Sequence, residues 1–383
     1  MTAGSTPQAW IGLMSGTSMD GVDGVLARIG PQGEWGGVIA HAHLPFEAPL
    51  RRELLALNTS GPDELHRAAL AAQGVSRAYA DVVRQLTRAV PDVTVSAIGA
   101  HGQTVRHRPE LGYTLQLLAP ALLAELTGLD VVSDFRSRDV AAGGQGAPLV
   151  PIFHQAVFAH LQHRVAALNV GGIANVSLLA SGPAGNAPPP LGFDCGPGNV
   201  LMDLWVQRQR GLPYDADGAW AASGHVHADW LACALAEPYF ALPAPKSTGR
   251  DLFHANWLDR WLGACGVDAV SLPDALAADV QATLCELTAR SAWDAMAPHQ
   301  PGEVLVCGGG ALNRHLVGRL AALAAPHGTQ VHSTDVRGLP PMEVEAAAFA
   351  WLAWACVHRH AGNVPAVTGA AGERVLGAVY PGR

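Results

Sequence analysis

The chain has 383 residues, of which 49% are apolar and 15% are charged, and its formal net charge is −8. This composition indicates a globular protein long enough for two domains, and it excludes a disordered or fibrous chain. Because the chain has no basic surplus to neutralise phosphates along DNA or RNA, we expect no nucleic-acid partner.

The cysteines and the apolar segments limit which metal or disulfide sites and which cellular location we expect. The six cysteines are scattered and form no Cys-x-x-Cys pair, which argues against a zinc knuckle or a disulfide framework. The first basic residue is Arg28, which is not the pattern of a signal peptide. The longest apolar run, 346–357, is too short to cross a bilayer, so we expect a soluble cytoplasmic protein with no membrane partner.

Short apolar runs bounded by glycine or polar residues dominate the first part of the chain. They predict strands at 10–14, 22–29, 38–44, 95–99 and 130–132. The first three strands follow one another through tight turns and therefore predict an antiparallel meander. Apolar residues at helical spacing predict one long helix over 62–90.

The second part of the chain repeats this theme. A predicted strand at 164–169 ends in Gly171 and Gly172, and a second strand resumes at 176–180. Further on, the patterns predict a strand at 303–307 and helices at 200–210, 254–263, 273–296, from 312 onward and at 343–360. We therefore predict an α/β protein of two related domains, about 1–160 and 161–383, with a ligand cleft between them.

Three glycine turns follow predicted strands, at 16–21, 171–172 and 308–310. Glycine lets backbone N–H groups approach an anion closely, so these turns are candidate phosphate-binding loops. Each turn alone is explained equally well as a hairpin turn. Three such turns, with hydroxyls and carboxylates beside two of them, favour a nucleotide.

Two common nucleotide motifs are excluded. A P-loop needs glycine directly before its lysine, but the only lysine of the chain, Lys246, follows Pro245. A dinucleotide-binding loop needs glycine or alanine at its last position, where the segment 308–313 has Asn313. A Rossmann dehydrogenase is therefore a weak interpretation.

Polar side chains collect just beyond predicted strands, where α/β proteins bind ligands. They are His101, Gln103, Thr104, Asp134, Arg136, Asp194 and Asn199. Taken singly, His101 is equally a satisfied buried histidine and Arg136 a partner in a structural salt bridge. Together these residue types fit the recognition of many hydroxyl groups, as a sugar requires.

Asp194 is the candidate general base. It follows an apolar strand and precedes a turn that leads into a helix, so its carboxylate is held rigidly and partly desolvated. The alternative is a helix N-cap near Asn199. The intervening Gly-Pro-Gly at 196–198 makes a simple cap less suitable.

The segment 14–23, Met-Ser-Gly-Thr-Ser-Met-Asp-Gly-Val-Asp, closely resembles the opening signature of anhydro-N-acetylmuramic acid kinases. The resemblance continues in order at 101–104, 134–136, 141–151, 171–175, 193–199, 245–250, 307–313, 345–351 and 367–370. It implies the actin/hexokinase/Hsp70-like (ribonuclease H-like) fold, two related domains with ATP in the cleft between them.

The resemblance also implies roles for individual residues, with Asp194 as the base. It implies ATP binding by Gly16, Thr17, Ser18, Met19, Asp20, Gly21, Val22, Asp23, Gly171, Gly172, Gly308, Gly309, Gly310 and Asn313. It implies substrate binding by His101, Gln103, Thr104, Asp134, Arg136, Asn175 and Glu345.

The reaction implied by the resemblance uses ATP, Mg²⁺ and water. Water opens the 1,6-anhydro ring of 1,6-anhydro-N-acetylmuramic acid at C1 and O6 takes the γ-phosphoryl group, giving N-acetylmuramate 6-phosphate and ADP. The implied role is amino-sugar metabolism in peptidoglycan recycling, and the implied assembly is a homodimer.

The sequence departs from the family pattern at a few positions. Cys195 stands where threonine is usual, and 341–343 replaces a stretch that often carries aspartate. Many relatives in the superfamily place an aspartate before the first glycine turn to organise Mg²⁺, but 13–15 is Leu-Met-Ser. The protein ligands of the metal are therefore left unassigned.

Two alternatives remain beside the leading hypothesis. One is a different sugar or acid kinase of the same superfamily, and the other is an actin-like or Hsp70-like ATPase that drives assembly or chaperoning. The dense polar set from His101 to Arg136 and around Asp194 favours a sugar kinase, because a filament protein has no need of it.

Overall fold

The structure is a computed structural model that describes residues 7–16, 19–160, 162–182, 188–244, 246–249, 252–267 and 272–383. The chain forms two compact units, Met1–Val157 together with Glu343–Arg383, and Phe158–Met342. The C-terminal segment 343–383, which we placed in the second domain from sequence, belongs to the first unit.

The helices and strands alternate along the chain. The first part contains β1 (Gln8–Met14), β2 (Gly21–Ile29), β3 (Trp35–Pro45), α1 (Ala48–Ala56), α2 (Glu64–Ala89), β4 (Val95–Ala100), β5 (Gln103–Arg108), β6 (Tyr113–Leu117), α3 (Pro120–Thr127), β7 (Val131–Ser133), α4 (Ser137–Ala141) and α5 (Val150–Phe158). The middle contains β8 (Val165–Val170), β9 (Ile173–Leu179), β10 (Leu191–Pro197), α6 (Val200–Arg210), α7 (Ala228–Leu235), α8 (Ala255–Ala264), α9 (Asp274–Met296), β11 (Glu303–Cys307), α10 (Arg314–Ala324) and β12 (Gln330–Ser333). The chain ends with α11 (Val344–Val357), α12 (Pro365–Thr368) and β13 (Ala378–Tyr380).

The sheet of the first unit has the strand order β13–β7–β4–β1–β2–β3. Strands β1, β2 and β3 pair in antiparallel fashion, which confirms the predicted meander. Strand β4 lies parallel to β1, and β7 lies parallel to β4. The amphipathic helix α2 packs on β2, where a Cβ at Gly24 would lie 2.4 Å from Cγ1 of Val82.

Helix α11 explains why the C-terminal segment belongs to the first unit. Two glycines of the sheet let the backbone of this helix touch the strands directly. A Cβ at Gly12 of β1 would lie 1.9 Å from the carbonyl oxygen of Ala346, and a Cβ at Gly99 of β4 would lie 2.0 Å from that of Phe349. The apolar pattern of 343–360 predicts the helix correctly, but a local pattern carries no information about the sheet that it covers.

The sheet of the second unit has the strand order β10–β9–β8–β11–β12. Strands β8, β9 and β10 form an antiparallel meander, and β11 lies parallel to both β8 and β12. The series β3–β2–β1–β4–β7 of the first unit has the same order and the same directions. Two α/β units of one topology confirm the predicted fold class and the predicted repeat.

The predicted helices of the second unit are confirmed as α6, α8 and α9, with a change of boundary in α10. Sequence patterning predicts a helix from residue 312, but α10 begins at Arg314. Asn313 is its N-cap, because the side-chain Oδ1 accepts a hydrogen bond of 2.9 Å from the backbone N–H of Leu316. Within the described ranges, no helix is both long and apolar enough to span a membrane.

Candidate active site

The first glycine turn joins β1 to β2 in the first unit, and two of its residues, Thr17 and Ser18, lie outside the described residues. The carbonyl oxygen of Gly16 accepts hydrogen bonds from Nε2 of Gln103 at 3.0 Å and from the backbone N–H of Met19 at 3.2 Å. Met19 has a φ of 52° and a buried side chain. The turn is therefore anchored on both sides of its centre.

The residues in the later part of this turn differ in their exposure to solvent. Asp20 is exposed, whereas Val22 is fully buried in the core, so Val22 offers only its backbone to a ligand. A Cβ at Gly21 would lie 2.5 Å from the carbonyl oxygen of Leu44 on β3. The glycine there permits close packing of β2 on β3, a structural role beside the proposed one in ATP binding.

Ser15 is a contact that sequence reasoning missed. Its buried hydroxyl lies 2.9 Å from the hydroxyl of Tyr79 on α2 and donates to the carbonyl oxygen of Gly102 at 3.1 Å. Burial, as the largest cause, raises the pKa of Tyr79, which keeps this phenol neutral. Ser15 thus ties the glycine turn to the polar segment 101–104.

His101 and Arg136 form a buried pair. Nε of Arg136 donates to Nε2 of His101 at 3.0 Å, so the histidine carries its proton on Nδ1. Burial and then the adjacent guanidinium hold the pKa of His101 well below its usual value. Weaker interactions with the backbone of Gly102 and Ser15 oppose this shift, so the imidazole lies against the residues that begin the first glycine turn.

Arg136 keeps its charge although it is largely enclosed. Burial lowers its pKa to about 10, while the nearby carboxylates of Glu345 and Asp139 raise it. Its Nη1 also donates to the carbonyl oxygen of Gly146 at 2.7 Å. Arg136 is therefore a fixed cation at neutral pH.

Asp139 was missed by the sequence analysis, yet it organises the 143–148 loop. This fully buried carboxylate accepts from the backbone N–H of Gly146 at 2.8 Å. Its other oxygen accepts from Nδ2 of Asn363 at 2.6 Å and from Oγ1 of Thr368 at 2.8 Å. The motifs at 141–151 and 367–370 are thus joined by one carboxylate that lies between them.

Three further predicted substrate residues differ in their surroundings. The side chain of Gln103 is fully buried, and within the described part of the chain its Oε1 has no hydrogen-bond partner. Oγ1 of Thr104 accepts from Nε2 of Gln116 at 3.2 Å. Asp134 is exposed directly after β7 and has a φ of 60°. A buried orphan oxygen beside a phosphate-type turn makes Gln103 the strongest ligand candidate of the three.

Glu345 interacts with two charged residues of the first unit, Arg136 and Asp23. Burial raises the pKa of Glu345, in the first turn of α11, although Arg136 opposes this shift. Burial also tends to raise the pKa of Asp23, but hydrogen bonds from His41 and His43 outweigh it, so the pKa of Asp23 is lowered. Nδ1 of His43 lies 2.8 Å from Oδ1 of Asp23, and Nε2 of His41 lies 3.7 Å from the same atom.

The His41–Asp23 pair predicts a pH-dependent contribution to stability. The interaction with Asp23 raises the pKa of His41, so its stabilisation is complete below the unfolded value of about 6.5 and is lost as pH rises through the folded pKa. The lowered pKa of Asp23 means that its contribution disappears in acid. We expect His41→Asn to destabilise the protein by about 1 kcal/mol or less at pH 5.5, because the pair is partly solvated, and by less at pH 9. Urea unfolding at both pH values measures this, and an equal loss at both contradicts it.

In the second unit, the two remaining glycine turns lie against each other. They follow β8 and β11, which are parallel neighbours with Cys307 opposite Asn169. Gly308 has a φ of 75°, and a Cβ there would lie 2.3 Å from Oδ1 of Asn169. A Cβ at Gly310 would lie 2.3 Å from Cγ1 of Val170. Only glycine permits this approach, and Gly309 between them has open space on its Cβ side, with Nδ2 of Asn199 3.7 Å away.

The turn after β8 is held by the start of α6. The carbonyl oxygen of Gly171 accepts from the backbone N–H of Asn199 at 2.8 Å, and that of Gly172 accepts from Gly198 at 2.9 Å. Nδ2 of Asn199 donates to the carbonyl oxygen of Val170 at 3.1 Å. The turn and the N-terminus of α6 therefore form one rigid backbone element.

Asp194 lies inside β10, in a row of polar residues that crosses the sheet. It is opposite Asn175 on β9, which in turn is opposite Asn169 on β8. Residues directly opposite one another on neighbouring strands face the same side of a sheet. The predicted base and the predicted ligand Asn175 are thus neighbours, and Asn169 joins them although it was not predicted. A polar residue at the end of the apolar run 165–168 was the available signal.

The Asp194 carboxylate has the environment of a base. Oδ2 accepts hydrogen bonds from the backbone N–H of Thr248 at 2.9 Å and from Oγ of Ser247 at 3.0 Å. Burial raises the pKa of Asp194, and these two bonds oppose the shift. Asn199, rather than Asp194, occupies the N-cap position of α6. The alternative of a helix-capping aspartate is therefore excluded.

Two other residues singled out from sequence have structural roles. Asn313, the proposed adenosine contact, uses its side-chain oxygen to cap α10. Cys195 is fully buried, and burial raises the pKa of its thiol. A protonated, enclosed thiol is a poor nucleophile, so Cys195 is a core residue rather than a catalytic one.

Two sequence comparisons point to the same family. Residues 8–382 match the sequence model of the family described as anhydro-N-acetylmuramic acid kinase. The chain is 58% identical over 384 residues to the anhydro-N-acetylmuramic acid kinase of Bordetella petrii, covering 98% of this chain and 97% of the relative. It is 56% identical to that of Variovorax paradoxus over 382 residues, covering 98% and 99%. Among solved structures, the activator of the 2-hydroxyisocaproyl-CoA dehydratase from Clostridium difficile with bound ADPNP aligns with a TM-score of 0.46 and 13% identity, covering 92% and 96%.

The family match extends over nearly the whole length of the chain, and every sequence motif of the proposed site falls within it. The relatives are matched over nearly their own full length as well. The chain belongs to the anhydro-N-acetylmuramic acid kinase family.

Proposed function

We propose that the protein uses ATP and water to convert 1,6-anhydro-N-acetylmuramic acid into N-acetylmuramate 6-phosphate and ADP, with Asp194 as the general base. The observation that carries this proposal is the arrangement at the Asp194 carboxylate. Its Oδ2 is occupied by Ser247 and Thr248, while no described residue hydrogen-bonds to Oδ1. A carboxylate fixed through one oxygen presents the other to a water molecule, as general-base catalysis requires.

The proposed reaction moves one proton and breaks one bond of the sugar. Asp194 takes a proton from water as the water oxygen attacks C1, and the C1–O6 bond breaks. The electron pair released to O6 then attacks the γ-phosphorus atom, and ADP departs. The raised pKa of Asp194 suits this role because it brings the carboxylate closer in basicity to the proton that it must accept.

Binding of ATP is assigned to glycine turns in both units. The turns at 171–172 and 308–310 have backbones packed so closely that Cβ atoms at Gly308 and Gly310 would collide with β8. Such a turn gives a phosphate or a nucleoside a smooth backbone surface. In the first unit, Gly16 and the residues up to Asp23 are assigned to the phosphates by the family resemblance.

Mg²⁺ is assigned to the nucleotide rather than to a protein cage. The described residues contain no group of three or more His, Cys, Asp or Glu side chains suited to a metal ion. This fits Mg²⁺, which usually keeps several waters and binds through one or two carboxylates together with substrate phosphates. Asp20, exposed in the first turn, is the carboxylate that would serve it. When bound, Mg²⁺ would neutralise charge on the phosphates during transfer.

Recognition of the sugar is assigned to the polar group of the first unit and to Asn175 of the second. The buried Oε1 of Gln103 has no hydrogen-bond partner among the described residues, and His101 contributes a buried, neutral imidazole. Arg136 is a fixed cation suited to the lactyl carboxylate of the substrate. Thr104, Asp134 and Glu345 complete the proposed set.

The cellular setting and the assembly follow from the same proposal. We infer a cytoplasmic enzyme of peptidoglycan recycling that acts as a homodimer, as the resemblance implies. A different sugar kinase activity is the second candidate, because the residues of the polar group suit other amino sugars as well. Size-exclusion chromatography with light scattering tests the dimer.

A labelled-water experiment tests the reaction. The protein is incubated with ATP, Mg²⁺ and 1,6-anhydro-N-acetylmuramic acid in ¹⁸O-water, and the product is analysed by mass spectrometry. We expect N-acetylmuramate 6-phosphate carrying one ¹⁸O at the anomeric position. An unlabelled phosphorylated sugar with an intact anhydro ring would exclude the coupled mechanism, and the absence of any phosphorylated sugar would exclude the proposed activity. N-acetylglucosamine and N-acetylmannosamine in parallel reactions distinguish the second candidate.

A further inference from the structure

Beyond the base itself, the segment 246–248 runs along the open edge of β10. Strand β10 is the edge strand of its sheet in the described residues. The backbone N–H of Asp194 donates to the carbonyl oxygen of Lys246 at 3.0 Å. Ser247 and Thr248 then donate to the Asp194 carboxylate at 3.0 Å and 2.9 Å. Both the backbone and the side chain of Asp194 are thus held by three consecutive residues.

The side chain of Lys246 holds this segment against the residues that contact Asp194. Nζ of Lys246 donates to the carbonyl oxygens of Tyr239 at 3.2 Å and Phe240 at 3.0 Å, and it lies 4.7 Å from the centre of the Tyr239 ring. The hydroxyl of Tyr239 donates to the carbonyl oxygen of Asp194 at 2.7 Å. The only lysine of the chain therefore fixes the segment that holds the base.

We propose that Ser247 is a positioning residue for the reaction, which fixes the Asp194 carboxylate through Oδ2 so that Oδ1 faces the attacking water. The inference rests on the proposed function of Asp194. The hydroxyl of Ser247 is the side-chain donor, whereas Thr248 contributes its backbone N–H. Substitution of Ser247 therefore removes one hydrogen bond and leaves the other in place.

The same bond sets the proton affinity of the base. A hydrogen bond donated to a carboxylate stabilises its ionised form and lowers its pKa. At Asp194 the bonds from Thr248 and Ser247 oppose the larger effect of burial. Among the described residues, the other titratable groups around Asp194 are Cys195, Tyr239 and Lys246, and all three remain in a Ser247 variant.

The test compares Ser247→Ala with Ser247→Thr, which retains a hydroxyl. We expect Ser247→Ala to lower kcat about tenfold with little change in KM for either substrate, because a bond to a charged group is lost and the groups assigned to binding are kept. The acid limb of its pH–rate profile should move to higher pH. Ser247→Thr should restore most of both properties. Ser60→Ala, an exposed serine of the first unit, is the control for substitution alone.

A direct titration keeps the inference separate from the proposed activity. The carboxyl carbon of Asp194 is followed by ¹³C NMR, with its signal assigned by its loss in Asp194→Asn. In Ser247→Ala the titration should move to higher pH than in the unsubstituted protein, even if no sugar is phosphorylated. An unchanged titration, or wild-type kcat in Ser247→Ala, would overturn the inference. Failure of the labelled-water experiment with a shifted titration would overturn the proposed function alone.

Discussion

Asp194→Asn is expected to lower kcat by about a thousandfold while leaving the affinity for ATP within a factor of two. The loss has the size of general-base catalysis, because asparagine accepts a hydrogen bond but takes no proton from water. Nucleotide affinity is retained because ATP is assigned to the glycine turns rather than to this side chain. Initial-rate kinetics and isothermal titration with a non-hydrolysable ATP analogue measure the two quantities.

The Asp194→Asn substitution and its control distinguish loss of the catalytic base from unfolding of the protein. Asparagine is nearly isosteric with aspartate, and its amide oxygen can take the place of Oδ2, the oxygen that accepts from both Ser247 and Thr248. Asp92→Asn, at an exposed position of the first unit, is the matched control and should behave as the unsubstituted protein. Turnover by Asp194→Asn within tenfold of normal would remove Asp194 from its role as the base.

Gly12→Ala is expected to destabilise the protein by at least about 3 kcal/mol, the upper part of the range for overpacking. The new methyl group would lie 1.9 Å from the carbonyl oxygen of Ala346 and 2.5 Å from the backbone nitrogen of Ala350. Both neighbours are backbone atoms of α11, so no side chain can rotate away to make room. The helix must move off β1 or the strand must bend.

Thermal and urea unfolding measure this loss. Gly318→Ala in α10 is the control, since a Cβ there meets no atom within 4 Å and alanine favours a helix. It should be neutral or stabilising by up to about 1 kcal/mol. If Gly12→Ala unfolded at the same urea concentration as the unsubstituted protein, the close approach of α11 to the sheet would be contradicted.

Local patterns predicted most of the secondary structure because each element depends on its own residues. The apolar runs at 10–14 and 303–307 are strands, and the long helical pattern at 62–90 is α2. The start of α10 was wrong by two residues because Asn313 caps the helix that we began at residue 312. Sequence spacing alone does not distinguish a cap from a residue inside the first turn.

Local patterns identified only some residues of the candidate site. Asp194 was singled out because a carboxylate after an apolar run is a local signal, but the prediction that it follows the strand was wrong, since it lies inside β10. Asn169 and Asp139 were missed because each depends on partners far along the chain. Asn169 lies opposite Asn175, which lies opposite Asp194. Asp139 accepts a hydrogen bond from Asn363. The pairing register of strands and the closure of loops are set by packing, which no short segment encodes.

The direct contact of α11 with β1 also affects the order in which the two units can fold during synthesis. Helix α11 leaves the ribosome after β1 and β4, the two strands that its backbone touches in the folded protein. The second unit is continuous in sequence and can therefore complete its core while the first still lacks a helix. Until α11 has emerged and packed, the glycine-lined face of β1 and β4 therefore lacks the helix that covers it in the folded unit.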